Sequence, residues 1–317
     1  MGTGRQACEQ DEGNGLDVLR IFRDSDNPLF RLARSSEKLT SWWAIPLLLL
    51  IFTLFGAPAV LIPLESAEES GLWRSALETT AFFLVSYLPV VALIALWVRW
   101  RERRGFSTLG FGRESALRYV AAGFFFGAGL IGLGVVLILT TGDASLEFEQ
   151  TDTTGWVAIA PGLVVLLGWM VQGATEELMF RGWLLQNSGV QLGPVAGAIF
   201  TSGVFVFLHL GNPGISTLAV VNLVLVSALF TVIALLEGGI WAASAFHISW
   251  NWAQSNIFGF KVSGLEIGGG TLARLVPEGS DAILGGEFGF EGSPAATATL
   301  LIGLFIALAA VSRKQSL

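Results

Sequence analysis

The sequence predicts an all-α, polytopic integral membrane protein with about eight transmembrane helices and an intramembrane polar site. Of its 317 residues, 53% are hydrophobic and only 14% are charged, whereas a soluble domain carries about 25% charged residues. The mean hydropathy of +0.65 agrees with this. Such a composition excludes an ordinary soluble enzyme and a disordered chain. The single cysteine, Cys8, excludes a disulfide scaffold, and the net charge of −7 argues against nucleic acid as a partner.

Eight apolar runs approach the length of about 20 residues that a membrane-spanning helix needs, although the last of them is short. They are Trp43–Ile62, Leu77–Val98, Leu117–Leu139, Trp156–Gln172, Gly193–His209, Thr217–Leu236, Gly239–Phe258 and Ala296–Val311. We divide the chain into a loosely ordered N-terminal tail (1–42) and a transmembrane domain (43–312). The tail is polar and mixed in charge, unlike a cleaved leader. The longest stretch between spans, 259–295, is rich in glycine and acidic residues and is expected to be an external loop.

Lysine and arginine are concentrated in alternate loops, which sets the expected orientation. The basic segments hold Arg5, Arg20, Arg23, Arg31, Arg34 and Lys38, then Arg99, Arg101, Arg103, Arg104, Arg113 and Arg118, then Arg313 and Lys314. The opposite loops are mainly acidic. This asymmetry predicts that both termini are cytoplasmic. Together with the polar, leaderless tail, it favours the plasma membrane.

Several ionisable residues lie in or next to the predicted spans, where their burial is costly and usually functional. Glu176, Glu177 and Arg181 follow the fourth run, His209 ends the fifth, and His247 lies in the seventh. The chain has only two histidines, and both occur in predicted spans. A cluster of this kind is typical of a functional site inside the membrane.

The fourth and fifth runs are predicted to form an antiparallel hairpin that brings two of these groups together. Its turn is marked by Asn187, Ser188 and Gly189, before Gly193-Pro194 opens the next helix. Glu176 then lies roughly 22 Å, and His209 roughly 27 Å, from a turn centred near residue 191. The two side chains should therefore be within about one helical turn in depth, near the middle of the bilayer.

Helical spacing assigns candidate roles. Glu177 and Arg181 are four residues apart and can form an ion pair. Glu176 points about 100° away and lacks that partner, so it suits a general base. His247 and Asn251 are also four apart. They can present two donors to a developing oxyanion.

Three patterns in this order, Glu176-Glu177-x-x-x-Arg181, Phe205-x-x-x-His209 and His247-x-x-x-Asn251, resemble the CPBP family, which groups CAAX prenyl endopeptidases with bacteriocin-immunity (Abi) proteins. The resemblance covers a motif core of about 155–258. It implies an intramembrane endopeptidase in which Glu176 activates water with the help of His209. His247 and Asn251 would form the oxyanion hole, and Glu177 and Arg181 would maintain the geometry.

The resemblance leaves the metal question open. Members of this family have been called metalloproteases, and Glu176, His209 and His247 would be a plausible zinc set. No His-Glu-x-x-His pattern is present, and Asn251 is a poor zinc ligand but a good amide donor. We therefore favour a metal-independent glutamate mechanism, with no cofactor, over a zinc-dependent version of the same protease.

The expected partners are the lipid bilayer and a membrane-associated protein or peptide substrate. The prenyl-peptidase branch of the family cuts after a lipidated cysteine, but nothing in this sequence identifies a prenyl group. Two other functional classes remain open. One is a non-catalytic immunity or binding protein with the same fold. The other is a transporter whose buried charges line a pathway, although no repeated half with broken helices is apparent.

Overall fold

The computed structural model describes residues 27–62, 64–112, 114–278 and 280–315. Within them, the chain is mainly helical, as predicted. The α-helices are α1 (Pro28–Arg34), α2 (Ala44–Leu54), α3 (Ala67–Ser70), α4 (Leu72–Trp100), α5 (Ala116–Thr141), α6 (Ile159–Glu177), α7 (Leu185–Leu192), α8 (Pro194–His209), α9 (Thr217–Glu237), α10 (Trp241–Trp252) and α11 (Pro294–Gln315). Two π-helices, Leu178–Leu184 and Ala253–Ile257, directly follow α6 and α10.

Six helical segments in the described part of the chain are long and apolar enough to cross a membrane, fewer than the eight predicted. They are Ala44–Leu61, Leu72–Trp100, Ala116–Thr141, Gly155–Leu192, Thr217–Glu237 and Pro294–Ser312. The other two predicted spans are shorter helices, α8 and α10. The protein is thus an integral membrane protein of the predicted all-α class, but two of its core helices are shorter than a typical span.

The fourth predicted run extends much further than expected. Helix, π-helix and helix continue without a break from Ile159 to Leu192, so Glu176, Glu177 and Arg181 lie within one helical segment. The predicted turn residues Asn187, Ser188 and Gly189 are helical, and the turn is at Gly193. Side chains of Asn187 and Ser188 donate to carbonyls of the preceding turn, which lets these polar residues remain in a buried helix.

Helix α10, which carries His247, packs closely against α5. Gly123 and Gly127 of α5 are four residues apart, and a Cβ atom at either position would collide with the backbone of α10 at Ala242 or Phe246. This is the small-residue spacing that lets two membrane helices approach closely. The two glycines therefore set the depth of α10 in the helical core.

The segment expected to be an external loop is ordered and packed. Its strand β2 (Arg274–Pro277) pairs antiparallel with β1 (Ala144–Glu147), with Ala144 opposite Pro277. Phe288 and Phe290 are fully buried, and the ring of Phe290 lies 5.7 Å from that of Trp250 on α10. This segment closes one end of the helical core.

The described part of the predicted N-terminal tail also differs from the expectation of loose order. Asn27 caps α1, and Leu29 and Phe30 are fully buried. Phe30 lies against Gly189 of α7, where even a Cβ atom would collide with its ring. Residues 1–26 of the tail lie outside the described residues.

A buried polar cluster joins the N-terminal segment, through Thr40, to the long α6–α7 helix. Glu102 accepts hydrogen bonds from the Thr40 hydroxyl (2.6 Å) and the Trp183 indole (2.8 Å) and pairs with Arg104 (2.7 Å). Arg104 also donates to Gln186. Burial lowers the pKa of the Arg104 guanidinium, and the adjacent Glu102 carboxylate opposes that change. The cluster anchors the π-helix that follows the two glutamates.

Candidate active site

Glu176 and Glu177 are the last two residues of α6, immediately before the π-helix Leu178–Leu184. A π-turn changes the angular register of the side chains that follow it and often occurs at functional sites. Both glutamates are buried: the Glu177 side chain has no solvent exposure and that of Glu176 only 11%. Two adjacent carboxylates at this depth require nearby donors.

The predicted ion pair between Glu177 and Arg181 is present and enclosed. Arg181 Nη1 donates to Glu177 Oε1 at 3.1 Å, and Nη2 donates to the carbonyl and hydroxyl oxygens of Ser227 at 3.0 and 2.8 Å. The guanidinium carbon lies 5.1 Å from the ring centre of Phe205 and 5.0 Å from that of Phe230. Phe205 thus helps to enclose the ion pair, and Ser227 is a partner that the sequence patterns did not indicate.

Glu177 has a second partner, His247. The Nδ1 atom of His247 lies 3.0 Å from Glu177 Oε1, the same oxygen that Arg181 binds. The His247 ring also stacks on Phe230, with centroids 4.9 Å apart. Glu177 therefore orients His247 as well as pairing with Arg181, a role for which its spacing in the sequence gave no signal.

Glu176 is bound through one carboxylate oxygen only. Its Oε1 accepts hydrogen bonds from the Tyr87 hydroxyl (3.0 Å) and from Gln172 Nε2 (2.7 Å). Its Oε2 is buried and has no hydrogen-bond partner among the described residues. His247 Nε2 lies 4.0 Å from Oε2. Glu176 thus lacks an arginine partner, as predicted, but its carboxylate has two neutral donors.

His209 and Asn251 complete the predicted set. His209 Nδ1 lies 2.7 Å from the Phe205 carbonyl oxygen, one turn earlier on α8, which makes Nδ1 the donor and leaves Nε2 to accept. The two rings are 4.4 Å apart. Asn251 Nδ2 donates to Gln172 Oε1 at 3.2 Å. The Phe205 carbonyl therefore orients the His209 ring.

These side chains meet at a cavity of about 520 Å³. Its wall includes all four residues predicted to be catalytic, Glu176, His209, His247 and Asn251, as well as Phe205. Glu177 and Arg181 do not line it and lie behind His247 and Phe205. The remaining wall is mainly apolar, as expected for a site that binds a membrane-associated chain.

Tyr87 and Gln172 also line the cavity, and sequence reasoning missed both. The chain has two tyrosines, and Tyr87 lies in the middle of an apolar span. Gln172 precedes Glu176 by one helical turn. A polar residue at either position inside a span was a signal that could have indicated a role.

Comparison with known families supports the resemblance carried by the three motifs. Residues 158–253 match the family model described as Rce1-like, type II CAAX prenyl endopeptidase Rce1-like. The predicted family resemblance is confirmed. This Rce1-like segment, about a third of the chain, contains every residue predicted for the site. No curated protein and no solved structure matched the chain.

The zinc alternative would use Glu176, His209 and His247, all of which lie within the Rce1-like segment. Across the described residues, no three His, Cys, Asp or Glu side chains are grouped so that they could hold one. His209 uses Nδ1 for the Phe205 carbonyl, and His247 uses Nδ1 for Glu177. Nδ1 contacts of this kind also orient histidines that bind a metal through Nε2, so the zinc set of Glu176, His209 and His247 remains the alternative that metal analysis tests.

Proposed function

We propose that the protein is an intramembrane endopeptidase that hydrolyses a peptide bond of a membrane-associated protein or peptide through a water activated by Glu176. The observation that carries this proposal is the geometry of the Glu176 carboxylate. One oxygen is held by two donors, while Oε2 is buried, has no hydrogen-bond partner among the described residues and lies 4.0 Å from His247 Nε2. Glu176 lines a cavity whose wall also includes two histidines and an asparagine. A buried carboxylate with a free oxygen is the group that a general base requires.

In the first chemical step, Glu176 Oε2 takes a proton from a water molecule held with the help of His209. The resulting hydroxide attacks the scissile carbonyl carbon, and the carbonyl oxygen becomes an oxyanion. The same proton then passes from Glu176 to the leaving nitrogen as the C–N bond breaks. Glu176 thereby returns to its carboxylate form, and no redox step or cofactor is needed.

His247 and Asn251 are the groups proposed to stabilise the oxyanion. His247 can donate from Nε2 while Nδ1 donates to Glu177 only in its imidazolium form. Arg181 and the imidazolium would together balance the charges of the two adjacent glutamates. Asn251 has a second amide hydrogen beyond the one donated to Gln172. Preorganised donors of this kind commonly provide the largest single contribution to rate.

The substrate is proposed to be a protein or peptide that reaches the cavity from the bilayer, with or without a lipid modification. We also propose that both termini are cytoplasmic and that the membrane is the plasma membrane, on the basis of the basic and acidic loops. The 520 Å³ cavity can accept a few residues of an extended chain. A lipidated cysteine is one option for the residue before the cleaved bond.

The test is hydrolysis of a quenched fluorescent peptide library, with lipidated and unmodified members, by purified protein in detergent. Glu176→Gln serves as the inactive comparator and Glu149→Gln as the matched control, because Glu149 is exposed and is not part of the cavity wall. Cleavage by the wild type and Glu149→Gln but not by folded Glu176→Gln supports the proposal. Cleavage that survives Glu176→Gln contradicts the proposed role of Glu176, and no cleavage of any member favours a non-catalytic binding protein with this fold.

Metal removal gives a separate prediction. We expect purified, active protein to contain no stoichiometric zinc and to keep its hydrolysis rate after treatment with a chelator. Asn251 is a poor zinc ligand, and among the described residues no three His, Cys, Asp or Glu side chains are grouped for metal binding. Elemental analysis and rates before and after chelation measure this. Stoichiometric zinc, with activity lost on chelation and restored by zinc, would instead establish the zinc-dependent alternative.

A further inference from the structure

Two side chains from different helices converge on one oxygen of the proposed general base. Tyr87 from α4 and Gln172 from α6 both donate to Glu176 Oε1, at 3.0 and 2.7 Å. Neither donates to Oε2, which has no partner within the described part of the chain. The two oxygens of a carboxylate are chemically equivalent in water, but here both donors bind Oε1.

We infer that Tyr87 and Gln172 are positioning residues that hold Glu176 by Oε1 and so direct Oε2 toward the reacting water. The inference rests on the proposed function. A carboxylate that can rotate about its last bond presents either oxygen and many orientations to the water. Two hydrogen bonds to one oxygen restrict that rotation before substrate arrives, which is how preorganised sites avoid reorganisation during reaction.

Gln172 extends this arrangement to the oxyanion donors. Its amide nitrogen binds Glu176, while its amide oxygen accepts from Asn251 Nδ2 at 3.2 Å. The Gln172 side chain therefore contacts both the base on α6 and Asn251 on α10, and it holds the two in a defined relative position. Gln172 has only 6% exposure, so these contacts compete little with solvent.

Tyr87 is itself held by packing between α4 and α6. Phe83, one turn earlier on α4, lies 4.4 Å from the Trp169 ring and 6.4 Å from that of Tyr87. The Thr80 hydroxyl donates to the Val164 carbonyl at 3.1 Å, which joins the two helices directly. This contact fixes the height at which the Tyr87 hydroxyl reaches Glu176.

The test compares Tyr87→Phe with Tyr119→Phe, which changes the chain's other tyrosine, on α5 and outside the cavity wall. The substrate is a library peptide whose hydrolysis depends on Glu176. We expect Tyr87→Phe to lower kcat about tenfold, with KM unchanged and the variant still folded in its melting curve. Tyr119→Phe should behave as the wild type. A purely structural role for Tyr87 would lower the melting temperature and leave the kcat of the folded variant unchanged.

A second comparison separates positioning from proton donation by Tyr87. The peptide and an ester of the same sequence are hydrolysed by wild type and Tyr87→Phe. An ester leaving group depends much less on protonation than an amine, so a proton donor would matter mainly for the peptide. Equal losses on both substrates support positioning, whereas a loss confined to the peptide overturns it.

Gln172→Met, and the double variant that combines it with Tyr87→Phe, complete the design. Because either donor alone still restrains Oε1, we expect the double variant to lose more kcat than the product of the two single losses. If Tyr87→Phe and Gln172→Met both retain the wild-type kcat while Glu176→Gln is inactive, the positioning inference is wrong and the proposed function stands. If Glu176→Gln is as active as the wild type, the proposed function fails, and this inference fails with it.

Discussion

Glu176→Gln is expected to lower the rate of peptide hydrolysis by about a thousandfold, within the range for loss of a general base. The amide has the shape of the carboxylate, and its oxygen can still accept the hydrogen bonds from Tyr87 and Gln172. Its nitrogen would take the place of Oε2 and cannot accept a proton from water. The variant therefore removes the chemistry and keeps the packing.

The measurement is the initial rate on a cleaved library peptide, together with a thermal melt of the purified variant. We expect a melting temperature close to that of the wild type, because Oε2 has no hydrogen-bond partner to lose among the described residues. Glu149→Gln controls for the removal of one negative charge. A Glu176→Gln variant that is folded and fully active would show that another group activates the water.

Arg181→Ala is expected to have the largest effect on stability. The guanidinium is fully buried and binds Glu177 and Ser227. Its removal leaves the buried Glu177 carboxylate with His247 as its remaining partner and two Ser227 oxygens without this donor. Breaking a buried pair from one side lowers the free energy of unfolding by about 3–5 kcal/mol. Loss of packing against Phe205 and Phe230 adds to this cost.

Arg274→Ala is the matched control, since Arg274 pairs with Glu68 at the surface, where both side chains are at least half exposed. An exposed pair contributes about 0–1 kcal/mol, so this variant should melt close to the wild type. Chemical unfolding or thermal melts in the same detergent measure both variants. Equal stability of Arg181→Ala and wild type would mean that the Glu177–Arg181 pair does not support the folded state.

The contrast between Glu176→Gln and Arg181→Ala separates the roles of the two adjacent glutamates. Glu176→Gln should inactivate the protein without destabilising it, whereas Arg181→Ala should destabilise it through Glu177. His247 links the two, because its Nδ1 contacts Glu177 and its Nε2 lies 4.0 Å from Glu176 Oε2. Activity lost in Arg181→Ala would therefore reflect both lower stability and a misplaced His247.

Much of the fold could be predicted because its signals are local. Apolar runs and the low content of charged residues predicted an all-α membrane protein, and the structure agrees. The lengths of α8 and α10 could not be predicted from composition. The side chains that surround a short core helix in the folded protein decide where it ends. The long α6–α7 segment was not predicted either. Gln186 and Asn187 are residue types typical of turns or surfaces, and only the structure shows that they have buried hydrogen-bond partners.

The sequence by itself determined the membrane class and the identities of the candidate site residues, because residues four apart on a helix share a face whatever surrounds them. The tertiary structure alone decided how those groups are paired. Tyr87 binds Glu176 across 89 positions, Asn251 binds Gln172 across 79, and His247 binds Glu177 across 70. No local pattern encodes such contacts, because they depend on the relative depth of separate helices, which packing at residues such as Gly123 and Thr80 sets.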